Sequence, residues 1–515
     1  MRYHFIGVGG AGMSALAKIL IEQGHTVSGS DLVTTDVTER LKRMGATIFE
    51  GHDASHVEGA EAVVVSGAVP PDNPELVAGI SKKVPVFHRA EMLSLLMNGS
   101  KGIAVAGTHG KTTTTSMVSL VLEKCGLDPT VVIGGELNDI GGNAKIGQGQ
   151  YFVAEADESD GSFLYLKPYI AVVTNVEDDH LDHYSDDMQN VARAFLSFLN
   201  SVPPGGRAVV CGDDPILKEL LPQCRVKTIS YGLNTTGVPN VDVYAEDINL
   251  HGSGSSFSVV SRNPEIGPDG KQRKGMHLIG PGFDGGRPRT TLGRVELSVP
   301  GMHNVSNALA ALCVGLFIGV DFEMAARALK QFRGVHRRFE TIGEVEGIRI
   351  VDDYGHHPTE VMATLSSAKL VGKKRVICVF QPHRYTRTVR LSERFGAAFA
   401  NADVVIITDI YPAGEKAIPG VSGRMIVDAI AKRSGKEAIY APTLEEAAKV
   451  VLEIVRPGDL LITIGAGNVS WVGRTVLDHL TGPETSHSTP KDVSLKESRG
   501  GPSSDERVTD YSRLA

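Results

Sequence analysis

Cysteine is scarce: 515 residues hold five, and none of them stand in C-x-x-C spacing. Neither a disulfide framework nor a cysteine zinc site is expected, and Cys125, Cys211, Cys224, Cys313 and Cys378 read as buried thiols of a reducing compartment. An excess of base is also missing. Lys and Arg number 52 against 60 Asp and Glu, a net charge of −8, so no broad field for nucleic acid or an anionic membrane is expected. Long apolar runs are absent as well: the most apolar stretch, Ala308 to Val320, is shorter than the ~20 residues that cross a bilayer and is expected as a core helix. The opening Met1-Arg-Tyr-His-Phe-Ile-Gly7 runs into a strand pattern without a charged leader or cleavage site. A cytoplasmic protein acting on small molecules, with no membrane or nucleic-acid partner and present as a monomer or weak homodimer, is the expectation.

What is present is repeated alternation of strand, glycine turn and helix, the pattern of parallel α/β sheets. The chain exceeds the roughly 250 to 300 residues of a single core. The expected fold class is α/β with three domains. The N-terminal domain, 1–98, is Rossmann-like. The central domain, 99–330, is a mostly parallel ATPase-type sheet with long loops, and the C-terminal domain, 331–480, is again Rossmann-like. In the first, Met13, Leu16, Ala17 and Leu20 recur at helical spacing before Gly24. Within the second, Asn263 to Thr291 reads as a mobile insertion. Residues 481–515 are Ser-, Pro- and charge-rich and are expected to form a disordered tail.

Gly107-Thr108-His109-Gly110-Lys111-Thr112-Thr113 follows the apolar Ile103 to Ala106 and precedes a helix. Glycines admit backbone N–H groups to phosphate oxygens, the helix N-terminus adds partial positive charge, the lysine neutralises phosphate and the Thr112 hydroxyl suits Mg²⁺. The match to G-x-x-x-x-G-K-[ST] lacks its first glycine, because Val105 stands there. Gly7-Val-Gly9-Gly10-Ala-Gly12 is a second strand-to-helix glycine turn, with Asp31 about 20 residues on. By itself it suits a diphosphate or dinucleotide and leaves the ligand open.

Two acidic stretches end apolar strands, where ligands of parallel sheets gather: Glu155-Ala-Asp157-Glu158-Ser159-Asp160 and Glu177-Asp178-Asp179-His180-Leu-Asp182-His183. Glu155 and His180 are metal-ligand candidates beside Thr112. Basic and imidazole groups cluster in Arg333-Gly-Val-His336-Arg337-Arg338, Asp353-Tyr354-Gly-His356-His357 and His383-Arg384-Tyr-Thr-Arg387, the residue types that steady a charged donor or a transferring phosphoryl group. His356 and His357 are adjacent, so at most one is expected to reach the site.

Together these motifs, with Gly301-Met-His303-Asn304 and the run from Gly7 to Ser14, resemble the Mur ligases of bacterial cell-wall synthesis over about Arg2 to Leu480. The resemblance implies a first domain for a UDP-sugar, a central ATPase and a third domain that closes over the site. It implies an ATP- and Mg²⁺-dependent amide ligase that joins L-alanine to UDP-N-acetylmuramate through an acyl phosphate. By this resemblance ATP falls on Gly107 to Thr113, with His303 and Asn307 on adenine, and the metal on Thr112, Glu155 and His180. Lys111, His356, His383, Arg384 and Arg387 become the catalytic set, with His356 the candidate amine base. Gly9, Gly10, Gly12, Asp31, Ser159, Arg337 and Tyr354 become the substrate set. Several sister ligases carry a carbamylated lysine after the Asp-His pair, but His180 to Asn200 contains no lysine. An NAD-dependent oxidoreductase explains Gly7 to Gly12 but leaves the second loop without a purpose. A nucleotide-gated module that makes no bond, or a family member adding a tripeptide, stays open at this point.

Overall fold

The computed structural model describes residues 1–137, 142–233, 240–263, 266, 283–284 and 287–482. Most of the expected insertion and residues 483–515 of the expected tail lie outside the described residues. Three main sheets organise the described chain, each fed by helices on its faces. The first has five parallel strands in the order Thr47–Glu50, Thr26–Asp31, Arg2–Ile6, Ala62–Val65, Val86–His88. The order in which strands are added reverses beside Arg2–Ile6, so the Gly7 turn opens at the switch point where ligands of such sheets sit. Its helix, Ala11–Glu22, buries Met13, Leu16, Ala17 and Leu20, the spacing read from the sequence.

The central sheet has ten strands. Lys101–Ala106 lies between Ile170–Val173 and Tyr151–Glu155, all parallel. Three neighbouring strands thus end together, and their C-terminal ends deliver the phosphate loop and both acidic stretches to one edge. Val243–His251, Gly254–Ser261 and Thr290–Leu297 form the antiparallel flank. The apolar run at Ala308 forms a helix, Met302–Phe317, buried nearly throughout its length. It packs beside Lys111–Lys124, where a Cβ on Gly315 would stand 3.2 Å from Val121.

The third sheet has six strands, one antiparallel edge strand, Glu340–Val345, on an otherwise parallel sheet. Its apolar strands, such as Val376–Phe380, are buried on both faces, as helices on both sides require. All five cysteines are free thiols, three of them buried. No helix among the described residues is long and apolar enough to cross a membrane.

Candidate active site

The phosphate loop is tied to Thr174 and Asn175, which follow the neighbouring strand Ile170–Val173. Thr108 N–H donates to Asn175 O at 3.1 Å, His109 N–H to Asn175 Oδ1 at 2.8 Å, and the Thr174 hydroxyl to His109 O at 2.6 Å. Gly110 caps the helix at φ +81°, and a Cβ there would meet Asn307 Oδ1 at 2.7 Å, so glycine is required both by conformation and by space. Lys111 does not project into solvent. Its Nζ folds back to Gly107 O at 2.7 Å and Glu158 Oε1 at 2.8 Å. Burial opposes its charge, but Glu158, Asp157 and Glu155 outweigh burial and hold the ammonium protonated. Burial lifts Glu158 itself to about 7, with Lys111 offsetting only part of the rise.

Thr112 donates its hydroxyl to both Glu155 oxygens, at 3.2 and 3.0 Å, and Gly134 N–H reaches the same carboxylate at 2.9 Å. Two hard oxygen donors therefore stand side by side at the mouth of the loop, a donor set that fits Mg²⁺. His180, at φ +54°, lies 3.6 Å from Asp179. Burial lowers its pKa, and it feels Lys111 and Asp157, so the imidazole faces the same charged cluster as a neutral donor. Ser159 donates its backbone N–H to Asp157 Oδ1 at 3.1 Å, and Asp157 also takes Arg89 from the first domain at 3.3 Å.

Beside the loop a cavity of about 400 Å³ separates the central and third domains. Phe332, Val335 and Leu233 give it apolar wall, while His303, Asn307 and Arg338 supply polar edges. Flat apolar walls with a few convergent donors and acceptors suit a heteroaromatic ring. Burial first, then Arg338, lowers His303 to about 4, so it is a neutral hydrogen-bonding edge at pH 7. Asn307 Oδ1 accepts from the Thr114 hydroxyl at 3.1 Å, fixing the amide orientation.

The third domain reaches the acidic loop through Arg387. Its guanidinium places NH2 3.0 and 3.1 Å from the two oxygens of Asp179, with both side chains 5% exposed. Burial would raise Asp179, yet Arg387 and then His180 hold it well below the usual carboxylate range. His383 Nδ1 lies 3.0 Å from Arg387 NH1, and the His383 ring is 5.6 Å from that of His356. Burial leads in lowering His356 to about 3 and His383 to about 4. Tyr354 meets His356 edge-on at 5.8 Å and lies under the Arg337 and Arg338 guanidinium groups.

Arg384 pairs instead with Glu415, Nε to Oε1 at 2.9 Å. Arg337 is tied within its own domain, to Asp352 at 2.7 Å and the Gly465 and Gly467 carbonyls at 2.8 and 3.0 Å. The geometry gives Arg337 a fold-holding position, and the neighbouring Arg338 is the one that lines the cavity. His356 and His357 do point apart, but the second is not remote: His357 is fully buried with its ring 4.8 Å from that of His109.

In the first domain the Gly7 turn is closed by its own acid. Gly9 N–H donates to Asp31 Oδ2 at 2.8 Å, and a Cβ on Gly9 would collide with that same oxygen, at 2.8 Å. The Arg89 side chain lies against Gly12, within 3.1 Å of where a Cβ would stand. Gly9, Gly10, Gly12 and Asp31 thus gather at one turn, bordered by a cation that also touches the central domain.

Comparison with known proteins gives these features a family. The chain matches the Mur ligase family, catalytic domain, over residues 2–101, the Mur ligase middle domain over 105–315 and the Mur ligase glutamate ligase domain over 337–467. The chain belongs to the Mur ligase family. This Mur ligase is 50% identical over 477 residues to the UDP-N-acetylmuramate–L-alanine ligase of Pelotomaculum thermopropionicum, covering 93% of this chain and 97% of that protein. The crystal structure of the UDP-N-acetylmuramate-alanine ligase from Thermotoga maritima superposes with a TM-score of 0.75 at 30% identity, covering 93% of this chain and 99% of that one. A murein peptide ligase from Psychrobacter arcticus gives 0.65 at 26% identity, covering 93% and 98%. The three-domain α/β architecture is that of the family.

Two charged residues of this Mur ligase escaped the sequence reading, Arg89 and Glu360, and Glu177 entered it only as part of its acidic stretch. Glu360 is the least predictable. It is the third residue of a helix, where a glutamate ordinarily reads as a capping group, and it does accept the His356 and His357 backbone N–H groups, at 2.8 and 3.2 Å. Its other oxygen lies 3.3 Å from both His109 Nδ1 and Arg338 NH1. Nothing in the sequence around Glu360 names His109, its partner across the domain boundary.

Proposed function

We propose that this Mur ligase joins L-alanine to UDP-N-acetylmuramate at the expense of ATP in the synthesis of a peptidoglycan precursor. The observation that carries the reading is 50% identity to a UDP-N-acetylmuramate–L-alanine ligase over nearly the whole of both chains. The geometry supports the division of labour. Residues 1–98 hold the UDP-sugar around Gly9, Gly10, Gly12 and Asp31, residues 99–330 hold ATP, and residues 331–480 close over both and admit the amino acid. Adenine occupies the cavity against His303 and Asn307, and its phosphates lie over Gly107 to Thr113.

Mg²⁺ would be held by Thr112, Glu155 and His180 and would supply charge neutralisation of the phosphates. The residues of the chain do the rest. Lys111 leaves Glu158 for the phosphates when they arrive, keeping an ion pair in either state. A lactyl carboxylate oxygen attacks the γ-phosphorus in line, and the ADP oxygen leaves with the bond's electrons. The alanine nitrogen then forms a bond to the acyl carbon, the C–O bond to phosphate breaks, and the amine proton passes to a base. His356 is the proposed acceptor; burial leaves it neutral but weakly basic, at about 3, so negative charge arriving with the phosphates must raise its pKa for it to take the proton. Arg387 and Arg384 approach from the third domain to stabilise the charge on phosphate as it departs.

Phosphate release by the purified chain with ATP, Mg²⁺, UDP-N-acetylmuramate and L-alanine tests this reading. Release that needs both acceptors supports it. Release with the nucleotide sugar and a tripeptide in place of alanine, or with ATP alone, overturns it.

A further inference from the structure

Three side chains meet where the phosphate loop, the second acidic loop and the third domain touch. His109 Nε2 lies 3.6 Å from Glu177 Oε1, and His357 Nδ1 lies 3.6 Å from Glu177 Oε2. One donor atom from each falls within 4.8 Å of the others. Donors arranged tetrahedrally about one ion with bonds of ~2.1 Å stand roughly 3.4 Å apart, so the widest of these separations must close by up to about 1.4 Å for one ion to bridge all three.

The surroundings suit a ligated state. His109 Nε2 is buried without a hydrogen-bond partner, while its Nδ1 faces Glu360 Oε1 at 3.3 Å. A metal-bound imidazole has that arrangement, one nitrogen on the ion and the other fixed by a carboxylate. His357 is fully buried, and its Nδ1 receives only a long bond, 3.4 Å, from Thr359 N–H. Glu177 is braced through Oε2 by the Thr359 hydroxyl at 2.8 Å and Arg394 at 3.3 Å, which leaves Oε1 turned toward His109. Two imidazoles and one carboxylate favour first-row transition ions over Mg²⁺. None of these residues is Thr112, Glu155 or His180.

We propose that His109, Glu177 and His357 form a second metal site, selective for a Zn²⁺-class divalent ion, that staples the central domain to the third. His109 and Glu177 belong to the central domain, and His357 caps the helix Pro358–Leu370 of the third. Only the docked arrangement offers all three ligands, so an ion bound there favours docking by its differential affinity.

The test is a titration of the full chain, free of nucleotide and Mg²⁺, with Co²⁺ followed by visible absorption, then displacement by Zn²⁺. One Co²⁺ per chain bound with a Kd at or below ~100 μM, and displaced by Zn²⁺, is expected. Glu177→Gln and His357→Asn should each weaken binding at least tenfold, while Glu155→Gln leaves the spectrum unchanged. Should His357→Asn alter the circular dichroism, Glu177→Gln decides alone, because it preserves the side-chain shape on a loop. Binding only in the millimolar range, a spectrum unaffected by Glu177→Gln, or one lost equally in Glu155→Gln overturns the proposal.

Discussion

The chain uses one backbone device twice, and the two copies have diverged in chemistry. Both begin with a buried parallel strand, turn through glycines and open a helix. In the first copy the turn's N–H is satisfied by Asp31, whose negative charge sits at the centre of the turn. In the second, the turn holds Lys111 and Thr112, each resting on a carboxylate, Glu158 and Glu155. Backbone geometry alone makes an anion cradle. What distinguishes a loop that grips a substrate from one that activates phosphate is the set of charged side chains that neighbouring strands bring to it, and whether another domain covers it. Among the described residues, the second loop is met at His109 by Glu360 and His357 of the third domain, and Arg387 reaches Asp179 of the neighbouring acidic stretch.

The largest expected effect tests that distinction directly. Lys111→Ala should reduce turnover by about 10³-fold or more, at the upper end for a preorganised charge donor, with UDP-sugar affinity within a few-fold of wild type. Steady-state rates and calorimetric titration of the nucleotide sugar check this, and a variant with near-normal turnover removes the second loop from phosphate chemistry. Arg384→Lys should follow, with a loss of about 100-fold in turnover, because lysine keeps the charge but not the planar fork. Arg384 rests on Glu415, so its contribution depends on exchanging that partner for phosphate. An unchanged rate would mean that the ion pair with Glu415 is its whole role. Asp31→Asn is milder. The amide oxygen still accepts from Gly9 N–H, so the KM for the nucleotide sugar should shift by less than about tenfold, in line with one hydrogen bond altered, at constant kcat. A fall in kcat instead would show the first turn taking part in chemistry.

Sheets, glycine turns and the buried helix at Ala308 were legible because strand and helix periodicity and glycine placement are local signals. That the phosphate loop, Glu155 and His180 come together was legible because each follows or ends a strand of one parallel sheet. Partners across domain boundaries were not. Nothing near Arg387 in sequence names Asp179, 208 residues away, and the division of labour between Arg337, tied to Gly465 and Gly467, and Arg338, turned to the cavity, depends on a single-residue change of direction. The sequence suggested a phosphate for Lys111 but gave no sign of its ion pair with Glu158, which lies 47 residues on, beyond the strand Tyr151–Glu155.

The finest contrast lies in two buried glutamates, one in each module. Glu75 is fully buried, with Ser30 Oγ at 2.5 Å and His56 Nδ1 at 2.6 Å on its carboxylate. Burial opposes its ionisation, but hydrogen bonds from His4, Ser30 and His56 hold it at about 2. Glu158 moves the opposite way, to about 7, because burial there exceeds the help it receives from Lys111. The linkage signs are therefore opposite. A carboxyl whose folded pKa is depressed contributes stability above its unfolded value of about 4.5, and loses it as pH falls toward 2. One whose folded pKa is raised contributes fully below about 4.5 and loses that contribution as pH rises through 7. Each change is expected to be about 1–2 kcal/mol over two pH units. Calorimetric unfolding of wild type, Glu75→Gln and Glu158→Gln between pH 3 and 8 measures both. Glu75→Gln should lose most relative to wild type near pH 6 and least near pH 3, whereas Glu158→Gln should gain relative to wild type as pH rises from 5.5 to 8. Parallel pH profiles for the two variants would mean that the two carboxyls share one environment, and the contrast between the modules would then rest on Lys111 and Asp31 alone.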